Sequence, residues 1–145
     1  MTKEFSSIVE LKSIREQKSR LSEREQELSS PILTDFTLIP EIYEWFREIL
    51  SDADCPPNPE SVTQRKKFIF IILYLFSPSS LAGGKMTAGL REEMSRVLGV
   101  QSKSTISDNC ADVVFLYQNY GDFSGDIEYL YTEIVNRLRF KGLIN

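Results

Sequence analysis

From about residue 40 onward, apolar residues recur three and four apart, the spacing of a single helix face. Ile42, Phe46, Ile49 and Leu50 mark the first such helix, with Tyr43 and Trp45 beside them and Pro40 suited to its first position. It should stop near Asp52, because Asp54-Cys55-Pro56-Pro57-Asn58-Pro59 cannot continue it. A second helix begins near Glu60 or Ser61, carries Arg65, Lys66 and Lys67, and enters the run Phe68-Ile69-Phe70-Ile71-Ile72-Leu73-Tyr74-Leu75-Phe76. By composition that run also suits a buried strand, but no neighbouring segment offers strands to pair with. The pattern is read as a central helix, apolar on all sides because others surround it. Ser77-Pro78-Ser79-Ser80 and Ala82-Gly83-Gly84 break it. Thr87 is then placed to cap a helix burying Leu90, Met94, Val97 and Leu98, which Gly99 ends. Another helix covers Ser104 to Tyr120, with Ile106, Cys110, Val113, Val114 and Tyr117 inward. After a turn at Gly121-Asp122-Phe123, Ser124 caps a last helix to about Phe140, with Ile127, Leu130, Tyr131, Ile134 and Leu138 inward. The pattern predicts an all-α fold, a compact bundle of about five or six helices around 68–76.

Residues 1–30 differ in kind. They form a polar, charge-rich arm in which Ile14, Leu21 and Leu28 recur every seven residues, with Leu11 nearby. The matching second heptad positions include Lys18 and Glu25, so the seam is one thin stripe rather than a coiled coil. Ser22 and Glu25 have the spacing of a capping box that could start a fresh helix. So thin a stripe buries too little to hold the arm folded alone. Either the arm lies as a loose helix on its own domain, or Leu11, Ile14, Leu21 and Leu28 contact a partner. The expected division is a charged helical arm, 1–30, and a single helical domain, 31–145.

Length and composition narrow the function. A chain of 145 residues fits one domain, and 41% hydrophobic with 26% charged residues is a globular composition. The net charge of −4 argues against a dedicated nucleic-acid binder, whose affinity comes largely from neutralising phosphates, and equally against polybasic attraction to membranes. The sequence has no histidine, which removes the commonest general base and metal ligand, and no paired-carboxylate motif takes its place. The expectation is therefore not an enzyme, with no cofactor, no metal and no small-molecule substrate. Cys55, in a polar loop, and Cys110, in an apolar pattern, are read as free thiols in a reducing compartment. The charged segment from Met1 to Gln26 does not read as a signal peptide, and the nine apolar residues from Phe68 to Phe76 fall well short of a membrane span. These readings place the chain in the cytoplasm or within a particle.

Several motifs offer chemistry. In Leu98-Gly99-Val100 followed by Ser104-Thr105-Ile106-Ser107, Ser95 supplies a small residue in the first helix, Gly99 the turn, and Val100 the apolar residue after it. Residues 90–112 thus resemble the helix-turn-helix of DNA-binding regulators. The resemblance implies DNA contacts from Ser102, Lys103, Ser104, Thr105 and Asn109. The turn is one residue longer than the usual one, and Asp108 and Asp112 on the reading face repel phosphate. Gly84-Lys85 after an apolar run has the layout of a phosphate-binding loop, but Ser79 replaces its first glycine and Met86 its magnesium-binding hydroxyl. Asp122 to Glu133 has the length of a calcium loop, but Ile127 stands where glycine is required. Arg65-Lys66-Lys67 is read as the solvated start of a helix. Tyr117, Tyr120, Phe123, Tyr129 and Tyr131 cluster near the last turn; most suit core packing and two or three a contact surface. The run from Leu73 to Gly99, with Ser77-Pro78, Gly83-Gly84 and Leu98-Gly99, resembles small proteins of bacterial phages and mobile elements. The sequence thus predicts a protein–protein assembly or adaptor subunit, of a phage particle if that resemblance holds. The alternative is a helix-turn-helix DNA-binding regulator.

Overall fold

The computed structural model describes residues 3–100 and 103–145, without the side chains of 103 and 104. Six α-helices make up the fold, with no strand among the described residues: α1 Lys3–Ser29, α2 Ile39–Ser51, α3 Val62–Phe76, α4 Leu90–Leu98, α5 Lys103–Asn119 and α6 Gly121–Phe140. Short 3-10 turns cover Phe36–Leu38 and Pro78–Ala82. The chain divides into two compact units, 1–30 and 31–145.

Within the second unit, α3 is the central element and packs against α2, α4, α5 and α6. The run at 68–76 is helical, and all of it is buried except Phe70, which is half-buried, and Tyr74, which is exposed. Ser61 starts α3, its extended backbone letting Oγ accept from the Gln64 N–H at 3.3 Å. The α2 face supplies Phe46 and Tyr43, whose rings meet Phe68 at 5.4 and 4.9 Å between centroids. The entry to this unit is tied down as well: Ile32 and Leu33 N–H both donate to the Leu75 carbonyl at 2.9 Å, and Leu33 is buried.

Several local expectations are corrected. Helix α1 runs unbroken through Ser22 and Glu25, so that pair starts no new helix. Helix α2 begins one residue before Pro40, which serves as its second residue. Thr87 does not cap α4, which starts after Gly89 with no side-chain cap. Its amide and hydroxyl instead both donate to the buried Ser77 Oγ at 3.1 Å, closing the 77–87 loop. Gly121-Asp122-Phe123 is the first turn of α6 rather than a separate turn, because the chain is extended only at Tyr120. Ser124 therefore lies inside the helix and donates back to the Gly121 carbonyl.

The basic cluster is the largest departure from the pattern. Lys67 is not solvated, and Lys66 is half-buried. Lys67 is buried with Nζ 2.7 Å from the Asp126 carboxylate on α6, and Lys66 lies 3.4 Å from Asp112 on α5. These pairs join α3 to α5 and α6.

Candidate partner-binding helix

None of the side chains of α1 is buried, although it is 27 residues long and so about 40 Å from end to end. Its carboxylates and cations balance: Glu4, Glu10, Glu16, Glu23, Glu25 and Glu27 stand against Lys3, Lys12, Arg15, Lys18, Arg20 and Arg24. Phe5, Ile8, Val9, Leu11, Ile14, Leu21 and Leu28 are all between 40% and 70% exposed. Leu11, Ile14, Leu21 and Leu28 are the positions that the heptad pattern singled out. Phe5, Ile8 and Val9 were missed by that pattern, although the three-residue steps from Phe5 through Ile8 to Leu11 were visible in the sequence.

The two halves of this apolar surface differ in shape. Steps of three residues from Phe5 to Ile14 each turn the surface back by about 60°, so the amino-terminal segment is apolar over a broad arc. Steps of seven from Ile14 to Leu28 turn it by only about 20°, which leaves a thin, slowly winding stripe. The helix has little to hold it by itself. Its last turn carries no basic residue, and Glu25 and Glu27 face the negative end of the helix dipole. The ion pair between Arg24 and Glu27, at 3.0 Å, is exposed and contributes little.

The DNA-contact expectation divides in the structure. Helices α4 and α5 do pack on one another, and Gly99 ends α4 in the left-handed conformation with φ 69°. Ser102 lies outside the described residues. Lys103 and Ser104 occupy the first turn of α5, with side chains outside those described. Thr105 is half-buried. Asn109 is buried and does not present its amide to a base edge, because the 3.6-residue period puts it on the same side of α5 as the core residues Ile106 and Val113. The outward positions between 105 and 115 are Asp108, Ala111, Asp112 and Phe115, an acidic and apolar set.

The other motifs resolve into structure. The Gly84 N–H donates to the Ser79 carbonyl at 2.9 Å, and a Cβ at Gly84 would meet that oxygen at 2.9 Å, so the glycine closes the loop on itself. Residues 122–133 are continuous helix. Among the described residues, no three histidine, cysteine or carboxylate side chains are grouped as a metal would require. None of the described helices is long and apolar enough to cross a membrane. Cys55 is exposed, whereas burial pushes the Cys110 thiol up to about 11, against a smaller opposing effect of Arg91. No family model matches this chain, and neither the curated proteins nor the solved structures compared with it provide a match.

Proposed function

We propose that this chain is a protein–protein assembly or adaptor subunit, with α1 as the element that engages the partner. One observation carries the reading: a 27-residue helix presents seven large apolar side chains, all at least 40% exposed. Covering half of a Leu or Ile side chain contributes about 1 kcal/mol. Association costs roughly 4–15 kcal/mol before any net affinity remains. The face therefore works only when most of it is covered at once, and its broad amino-terminal arc is the part that a partner must wrap. On the resemblance to phage and mobile-element proteins, the assembly would be a virion.

Light scattering of the full chain against a chain starting at Pro31 tests this. The full chain should exceed monomer mass and the shortened chain should be monomeric with its helices intact. A full chain that is monomeric at every concentration excludes self-assembly and restricts the reading to an adaptor for a different chain. The DNA-binding alternative rests on Lys103 and the packed α4–α5 pair, and the outward Asp108 and Asp112 oppose it. It predicts duplex affinity at low salt that falls on Lys103→Glu; no binding at low salt removes it.

A further inference from the structure

A second feature lies on the helical body and owes nothing to α1. Helices α3, α5 and α6 line a half-open cavity of about 210 Å³. Four of its lining residues are aromatic: Phe70 and Tyr74 from successive turns of α3, Tyr117 from α5 and Tyr131 from α6. They form two pairs. Phe70 and Tyr117 stack with centroids 4.8 Å apart and planes at 16°, and Tyr74 and Tyr131 meet edge to face at 5.3 Å and 88°. Ile71 and Ile127, both buried, also line the cavity. Glu128 completes the wall and accepts a 3.0 Å hydrogen bond from the Tyr117 phenol.

Core packing accounts for Phe70, Tyr117 and Tyr131, which are partly buried against the core, but not for Tyr74 and Glu128. Tyr74 is 44% exposed on a helix whose other apolar positions from 68 to 76 are almost all buried, and Glu128 is exposed beside it. An aromatic ring presents a negative face and a positive edge; Phe70 and Tyr117 spend a face on each other, which leaves the rings of Tyr74 and Tyr131 and the Glu128 carboxylate, with no lysine or arginine in the lining. The hydrogen bond to Glu128 raises the Tyr117 pKa, and burial followed by the neighbouring Tyr74 raises that of Tyr131, with Arg139 opposing more weakly. The space is smaller than a drug-sized ligand needs, which limits an occupant to a headgroup or the end of a side chain. A bare ammonium would have to shed strongly held water to enter, whereas an alkylated one sheds little and fits an apolar floor.

We infer that this cavity binds an alkylated ammonium group, held by the ring faces of Tyr74 and Tyr131 and by the Glu128 carboxylate, with the stacked Phe70 and Tyr117 as one wall. The group can arrive on a free molecule or on a methylated lysine of another protein. The test titrates the full chain with choline, with a short peptide carrying trimethyl-lysine, and with 3,3-dimethylbutanol, the uncharged isostere of choline. Tyrosine ring resonances provide the readout. Choline should shift the Tyr74, Tyr117 and Tyr131 signals saturably and bind at least about tenfold more tightly than the alcohol, a difference of about 1.4 kcal/mol. Glu128→Gln should weaken choline several-fold and leave the alcohol unchanged. Tyr74→Leu, at an exposed position that should not disturb folding, should weaken choline, while Tyr129→Leu, outside the lining, should not. A peptide tighter than choline assigns the source to a protein, and equal affinities assign it to the headgroup alone. Absence of a saturable shift, or equal binding of the alcohol, overturns the inference.

Discussion

Replacing Asp126 with asparagine leaves the Lys67 ammonium buried without its carboxylate. The Lys67 side chain is 8% exposed and Asp126 58% exposed, so nearly all of the desolvation in this pair falls on the lysine. Removing one partner of a fully buried pair costs about 3–5 kcal/mol. Two features reduce that here. A cavity of about 340 Å³, lined by Lys67 and Asp126 together with Gln64, gives water a route to the ammonium. The asparagine oxygen can still accept a hydrogen bond from Nζ, one that keeps the charge of its donor but loses the opposite charge of the carboxylate. The expected loss for Asp126→Asn is about 1–2 kcal/mol. Lys67→Met keeps the volume and removes the buried charge, so it should be neutral to within about 1 kcal/mol or stabilising. The double variant should match Lys67→Met, since asparagine then has no stranded cation to fail. Urea unfolding followed by circular dichroism at constant slope measures all three. If Asp126→Asn costs no more than Lys67→Met, the ammonium is solvated in the folded chain and the argument from burial is wrong.

Alkylation at mildly alkaline pH should modify Cys55 quickly and spare Cys110, whose buried thiol stays protonated; mass spectrometry after unfolding should then find Cys110 free. Tyr43, Tyr117 and Tyr131 should ionise later than the other tyrosines in a titration followed by ultraviolet absorbance, since burial raises the first and third and the Glu128 hydrogen bond the second. Because these folded values lie above the ordinary 10.0, their contribution is complete below that pH and is lost as pH climbs through the raised values, so stability should fall in that alkaline window. Gly125→Ala, inside α6 with open space around it, should stabilise by about 0.5–1 kcal/mol in thermal unfolding, whereas Gly99→Ala, at φ 69°, should destabilise by about 1–2 kcal/mol.

The sequence by itself determined the features that depend on a few neighbouring residues. The three-and-four spacing specified the body helices other than α3, whose continuous apolar run also suited a strand. Ser61 marked the start of α3 and Gly99 the end of α4, because a side-chain cap and a left-handed residue are local requirements of a helix end. The thin stripe of Leu11, Ile14, Leu21 and Leu28 was legible for the same reason. Where local signals were compatible with two states, the sequence misled. Ser22 and Glu25 satisfy a capping box and also sit well inside a continuous helix. Thr87 had the spacing to cap α4, but it is drawn to Ser77, ten residues earlier, and the helix starts only after Gly89. Only the tertiary structure decided which charges are buried, since Lys67 and Asp126 are 59 residues apart and nothing near either one announces the other. The aromatic cavity is of the same kind. Phe70, Tyr74, Tyr117 and Tyr131 each read as core residues of their own helices, and it took the packing of α3 against α5 and α6 to set them around one space with Glu128. Helix formation is governed by contacts within a turn or two, while a site depends on which faces the long-range packing brings together.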